Sequence, residues 1–405
     1  MSSSVPPPFR PRQDPRTPAG LHRLVAAALS QLAPAPQRLW LLLVAVCLRN
    51  RSLAFAVRRN AGGRSATGWR QHLARLLERH PVPAWIAGLN GQLRERWRPL
   101  LGHRPVWLVG DETALPYWGQ AAPEVRGGPP KLGTTRFFTF VTLCALWRGE
   151  RIPLALAPWA REESLAQVLG RLLEDLLAAG VSIAGVMWDR GAANVELLGG
   201  VASLGLPYLV AAPRRGAKTG VGAICAGLEA ERGWAARRPA PVTQPYTLRP
   251  ERKRGLAPLT TWLVVDWESV KPRPRERRQR GPLRHQPAAD QRWRAVAWFT
   301  DGGDWRGRGA AVRSFYRSRQ TIESSYRLTH DCRGRTSSRD PRYRLLLFAI
   351  SQLLQNLWTW LRRGQRSRRD DWPFIDFLED LLEAVLAVRA APGAMGGMGP
   401  PGAGG

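Results

Sequence analysis

Carboxylates set behind apolar runs are the residues of this chain best suited to chemistry. Asp111 follows Val106-Trp107-Leu108-Val109-Gly110, and Asp189 follows Val186-Met187-Trp188. A carboxylate at the C-terminal end of a buried strand is costly by itself, because desolvation opposes its charge. Two such ends on neighbouring strands would bring both acids to one rim, where a divalent cation neutralises them. The plainer alternative is that each Asp caps a turn. A third acid, Glu323, lies in SFYRSRQTIESSYRLTHD, where Tyr316, Arg319, Glu323, Arg327 and His330 fall on one stripe of a helix. Phe315, Ile322 and Tyr326 make the opposing, more apolar set. A polar stripe is usually a solvated face with i,i+4 ion pairs. Here cations alternate around one carboxylate, which suits an acid reaching a metal ion while its neighbours hold phosphates.

These residues need elements to position them. Residues 1–36 read as a disordered basic arm, and 391–405 as a disordered tail of Gly, Pro, Ala and Met. Between 37 and 104 the pattern is helical, with an apolar run at Leu39–Leu48 and Trp69, Leu73, Leu76 and Leu77 at i, i+4, i+7 and i+8. Arginines on and between these helices suit either a small DNA-binding region or the solvated face of a bundle. Residues 105–212 read as β-β-β-α-β-α-β. The strands are expected at Val106–Val109, Arg136–Trp147, Ile152–Ala157, Ile183–Trp188 and Tyr208–Ala211, and the helices at Ser164–Ala179 and Asn194–Leu204. That order is an α/β fold, a mixed sheet flanked by helices.

Helical periodicity disappears from Pro213 to Thr300, so 213–304 reads as a β-rich insertion. Strands are expected at Thr260–Asp266 and Arg294–Phe299, around a charged loop Lys271–Arg284 that opposes seven basic residues to Glu276. Helix returns over 305–390, at Val312–Thr329 and Leu345–Leu361.

Composition narrows the partner. Sixty-one Lys and Arg against 31 Asp and Glu give +30 over 405 residues, which points to a polyanion, nucleic acid first. Only four of the cations are Lys, a bias expected of a GC-rich genome. Four scattered cysteines without a CxxC argue against a disulfide scaffold or a Cys-based zinc site. The six histidines, also scattered, offer no convincing catalytic arrangement with Ser or Cys. The longest apolar run is ten residues, short of the roughly 18–20 that cross a bilayer. The expectation is a soluble cytoplasmic protein with no membrane partner.

The spacing Tyr316-x2-Arg319-x3-Glu323, preceded by Asp111-Glu112-Thr113 and by Asp189-Arg190-Gly191 with Asn194, resembles the YREK signature of the insertion-sequence-four family of DDE transposases. The segment Arg335–Leu361 is similar to the helix after the Glu in that family's haloarchaeal-type subgroup. Together the likeness spans about Val106 to Leu361. It implies an RNase H-like sheet, a β-rich insertion before the catalytic helix, and an N-terminal helical DNA-binding domain. It implies catalysis by Asp111, Asp189 and Glu323 holding two Mg²⁺ (or Mn²⁺) ions per site, with Asp111 bridging both. Tyr316, Arg319, Arg327, His330 and Arg190 would contact DNA. The family's Lys, seven residues after the Glu, is His330 here; Arg327 or Arg333 could take over its phosphate contact.

The activity implied is cut-and-paste transposition: hydrolysis at element ends and strand transfer into target DNA, by a homodimer in the synaptic complex, near a prokaryotic nucleoid. Two other readings use the same residues: an inactive or domesticated DNA-binding derivative, and a metal-dependent nuclease without strand transfer. No RNP-like or KH-like pattern favours an RNA-binding protein. Trp262, Trp267 and Trp298 in the insertion could stack an extruded base, but packing is the commoner role of such residues.

Overall fold

The computed structural model describes residues 25, 27, 37–60, 65–79, 81–216, 218–235, 237–250, 255–270, 291–301, 305, 308–320, 329–330, 332–364 and 373–390. The expected tail, the charged loop Lys271–Arg284 and the basic arm (save residues 25 and 27) lie outside them. The chain divides into two units, Met1–Leu100 with Tyr326–Gly405, and Leu101–Ser325.

The first unit opens with helices α1 (Gln37–Leu48), α2 (Leu53–Asn60), α3 (Ala66–Glu78) and α4 (Val82–Glu95). Ser65 caps α3 by accepting the Gly68 N–H at 3.1 Å. Trp69, Leu73, Leu76 and Leu77 are all buried, so the spacing that predicts this helix also marks its core face.

The second unit is built on one sheet. Its strands are β1 (Val106–Pro116), β2 (Val125–Lys131), β3 (Thr134–Trp147), β4 (Glu150–Pro158), β5 (Ile183–Trp188), β6 (Tyr208–Ala211), β7 (Trp234–Ala235), β8 (Val242–Leu248), β9 (Leu259–Ser269) and β10 (Gln291–Thr300). Helices α5 (Leu165–Ala178), α6 (Val195–Ser203), α7 (Val221–Arg232) and α8 (Gly309–Arg317) belong to the same unit. The strands lie in the order β2-β3-β1-β5-β6-β10-β9-β8, with β4 on β3 and β7 on β10. Only β1, β5 and β6 run parallel to one another. Parallel neighbours cannot be joined by a hairpin, and α5 and α6 sit in the connections that make them. Ser164 and Gln167 close a capping box at the start of α5. The two-residue turn between β3 and β4 holds Arg148 at φ 50° and Gly149 at φ 80°, the left-handed pair that a tight hairpin requires.

Four sequence expectations need correction. β1 does not stop at Val109 but runs to Pro116, so Asp111 is a mid-strand residue. β2, VRGGPPK, was not expected, because Gly and Pro are depleted in strands. Helix α7 falls where helical periodicity was judged lost: it buries only Val221 and Cys225, too thin a stripe to read. And α8 ends at Arg317, giving way to a 3₁₀ turn at Ser318–Gln320. The strands expected at Thr260–Asp266 and Arg294–Phe299 are the middles of β9 and β10, and they continue the sheet outward from β6.

The first unit is completed by α9 (Pro341–Gly364) and α10 (Phe374–Ala390). Buried Asn356 on α9 accepts from Trp97 Nε1 at 3.2 Å and donates to the Leu93 carbonyl at 3.1 Å, so its amide is satisfied. Burial pushes the Cys47 thiol on α1 up to about 12, which leaves it an apolar filler. No helix among the described residues is long and apolar enough to cross a membrane.

Candidate active site

The centre of the sheet is locked by two Gly–Trp contacts. A side chain at Gly110 on β1 would collide with the Trp188 ring on β5, and one at Gly185 on β5 would collide with the Trp107 ring on β1. Each strand thus lends the other a glycine on which an indole lies. The register agrees: Trp107 is level with Gly185, Leu108 with Val186 and Val109 with Met187. Two residues further along that register, Asp111 comes level with Asp189.

Asp111 pairs across β3 with Thr142, which is fully buried and whose hydroxyl makes no hydrogen bond among the described residues. One oxygen of Asp111 accepts the Glu112 N–H at 2.9 Å. Asp189 comes directly after β5, as expected of a strand-ending acid. Its Oδ1 accepts the Gly191 N–H at 2.9 Å and caps a 3₁₀ turn at Arg190–Ala192. The turn-cap alternative therefore accounts for one oxygen of Asp189. The other stands 3.7 Å from Arg319, whose side chain is only 9% exposed.

Tyr316, near the end of α8, donates its hydroxyl to the Trp188 carbonyl at 2.9 Å, one residue before Asp189. Arg319 lies on the following turn, its guanidinium 5.9 Å from the Tyr316 ring centre. The first two members of the Tyr-Arg-Glu signature thus close on the second aspartate. They are a buried brace, not the solvated face of a helix. Desolvation pushes the Tyr316 phenol up to about 12, Asp189 adding to the shift while Arg319 and Arg190 oppose it. Tyr316 is therefore a neutral hydrogen-bond donor near neutral pH.

Glu112 is a site residue that sequence reasoning passed over, quoted only as part of Asp111-Glu112-Thr113. Its carboxyl is pushed up by desolvation, then by the charges of Asp189 and Asp111, with Arg126 opposing. Two neighbouring carboxylates make the charged form of Glu112 costly, a perturbation that is common where positive charge is to be held. Among the described residues, no group of three His, Cys, Asp or Glu side chains closes on a metal position. Glu323 and Arg327 lie outside the described residues. His330 is described in the first unit, where its carbonyl accepts from Asn50 at 3.3 Å. Arg190 is exposed on the 3₁₀ turn.

Two depressions share Asp189. A cleft of about 730 Å³ lies on the Glu112 side, with Trp159, Asn194 and Leu165 in its walls. A groove of about 590 Å³ lies on the Tyr316 side, with Trp298, Arg313 and Arg317. Of the tryptophans considered for base stacking, Trp267 is fully buried and Trp298 is 5% exposed and edge-on to Tyr316. Both are packing residues. Nothing in the sequence singled out Arg126 or Trp159, which meet in a cation–π contact at 3.6 Å.

No protein-family model matches the chain, and no curated protein matches it. Among solved structures the chain is similar to a piggyBac transposase, seen by cryo-EM in a synaptic complex with hairpin DNA. That similarity has a TM-score of 0.49 and 13% identity, covering 89% of this chain and 74% of that chain.

Proposed function

We propose that this chain is a DNA transposase of the DDE class, similar to the insertion-sequence-four family, with Asp111, Asp189 and Glu323 as its acids. One observation carries the reading: the central parallel pair runs in register to Val109 beside Met187, two residues short of Asp111 and Asp189, and Tyr316 and Arg319 close on Trp188 and Asp189. A sheet in which β1 lies antiparallel to β3 on one side and parallel to β5, then β6, on the other supports treating the core as RNase H-like. The cationic balance of the whole chain supports DNA, as element ends and as target.

The donor chemistry fits hard divalent cations. The acids offer only carboxylate oxygens, which Mg²⁺ and Mn²⁺ prefer, and their mutual repulsion is what such an ion relieves. Asp111, Asp189 and Glu323 would hold two ions, which when bound neutralise phosphoryl charge and make an oxygen nucleophile available at neutral pH. The described residues then do the positioning. Arg319, held off water 3.7 Å from Asp189, puts a fixed positive charge where a phosphate would approach. Tyr316 ties the end of α8 to the end of β5, so that helix and strand move together. Arg190 stands at the rim for the phosphodiester backbone. Synapsis of two DNA ends would take a homodimer.

The test is Mg²⁺-dependent cleavage of a plasmid carrying the gene with its flanking DNA. Asp111→Asn, Asp189→Asn and Glu323→Gln should each reduce cutting to background while leaving DNA binding intact. Undiminished cutting by any one of them would sink the assignment. Joining of a 3′-OH end to a second DNA separates a transposase from a simple nuclease.

A further inference from the structure

The two depressions that meet at Asp189 differ in sign. Among its described lining residues, the cleft on the Glu112 side carries five carboxylates against two guanidinium groups, and both cations are accounted for or marginal. Arg126 donates to the Ala160 and Glu163 carbonyls and lies over Trp159, and Arg161 stands out in solvent. The groove on the Tyr316 side reverses the balance, its described lining setting four guanidinium groups against Asp189 and Glu268. Arg319 answers Asp189, while Arg313 donates to the Trp267 carbonyl and lies 3.8 Å from Glu268. Arg190 and Arg317 are exposed, and their guanidinium groups form no hydrogen bond or ion pair with another described residue. Arg317 lies near enough to Arg313 to help lower its pKa, second to desolvation. Guanidinium groups crowded without counter-charge are a cost that an anionic ligand removes.

Resting on the transposase reading above, we infer that the scissile strand reaches Asp189 only from the Tyr316 side, its phosphates lying along Arg317, Arg313 and Arg190, and that the acidic cleft carries no DNA. A groove of about 590 Å³ admits a short stretch of one strand, not a duplex. It offers charge without an open aromatic face, since Trp298 is 5% exposed. Contact is therefore with the backbone and tolerates any sequence, unlike single-strand grooves that add stacking platforms.

Thiol-directed crosslinking tests the path, because all four native cysteines are buried and an introduced surface cysteine is labelled selectively. Full-length Arg317→Cys and Glu162→Cys proteins, each carrying a photoactivatable aryl azide, are mixed with a duplex oligonucleotide ending in a single-stranded 3′ tail. Position 317 should crosslink to the tail and position 162 should not. A binding series in rising salt gives a second readout. Arg190→Ala with Arg317→Ala should lower the slope of log K against log salt by about 1.4, at about 0.7 per lost phosphate contact on a single strand. Equal or stronger crosslinking at 162, or an unchanged slope with binding intact, overturns the inferred path. Failure of the unaltered protein to bind the oligonucleotide at all overturns the transposase reading instead.

Discussion

The middle of the sheet and its outer flank are held by different forces. Between β1 and β5 the register rests on shape, two glycines each covered by the other strand's indole. Charge enters there as Asp111 and Asp189, which help push the Glu112 carboxyl up, and as Arg319, 3.7 Å from Asp189. From β6 outward, charge does the holding. Asp266 on β9 is fully buried and paired with Arg238, Glu268 on β9 pairs with Arg294 on β10, and Glu229 on α7 grips Arg214 at 2.7 and 3.0 Å while accepting the Ala295 N–H at 2.8 Å. The difference separates two tasks. Packing fixes where Asp111 and Asp189 stand, with Arg319 offsetting only Asp189, and paired charges build the flank that carries the arginines.

The largest effect should come from breaking the buried pair at its exposed end. Arg238→Ala leaves the Asp266 carboxylate buried without its cation, at a cost of about 3–5 kcal/mol, whereas Asp266→Asn leaves Arg238 partly solvated and should cost less. Urea unfolding of the two variants measures the asymmetry, and equal costs would show that the pair is not what holds β9. Gly110→Ala should come next. Its added carbon meets the Trp188 ring, and overpacking of that kind costs about 1–3 kcal/mol. It should also impair cleavage, because relief requires the two strands to slide and takes Asp111 with them. A destabilised protein with full cleavage would detach the Gly–Trp contact from the site.

Much of this frame could be read in the sequence. Ile183–Trp188 and Tyr208–Ala211 have the bounds that their apolar runs suggested, because strands buried on both faces show as unbroken apolar stretches. The leucines of α5 and the Trp69–Leu77 face of α3 were equally plain. What escaped were elements whose side chains carry little pattern: β2 with its Gly and Pro, and α7 with two buried residues. Around the candidate site, Asp111 and Asp189 stand out by their place behind apolar runs, and Tyr316 and Arg319 by a spacing that carries the family resemblance. Glu112 does not, because a neighbour of a candidate acid looks like its surface alternate until the fold brings Asp189 beside it. Arg126 and Trp159 come from separate strand ends, and no local signal links them.

Acidification should separate the two regions, because their carboxyls shift in opposite directions. Glu229 is held below its ordinary range; burial opposes this, but the Arg214 and Ala295 hydrogen bonds prevail. Its contribution is present above the unfolded pKa and is lost as pH falls through the lower folded value. Amides of β10 should therefore lose hydrogen-exchange protection on acidification. Glu229→Gln should cost about 1–2 kcal/mol at neutral pH and flatten that dependence. Equal pH profiles for β10 in both proteins would contradict the assignment.

Glu112 should show the reverse and smallest effect. Its carboxyl is raised by desolvation and by Asp189 and Asp111, so the folded state binds the proton more tightly than the unfolded chain. The penalty is therefore fully present above the raised folded pKa and disappears as pH falls below the unfolded one. Glu112→Gln removes the charge while keeping the shape, and should stabilise the protein at neutral pH without divalent ions. Because the residue is solvent-exposed, the gain should stay under about 1 kcal/mol and shrink in high salt. Thermal unfolding in chelator measures it. Destabilisation by Glu112→Gln would mean that a cation or hydrogen bond already satisfies the carboxylate, and the contrast between an uncompensated centre and a compensated flank would fail there.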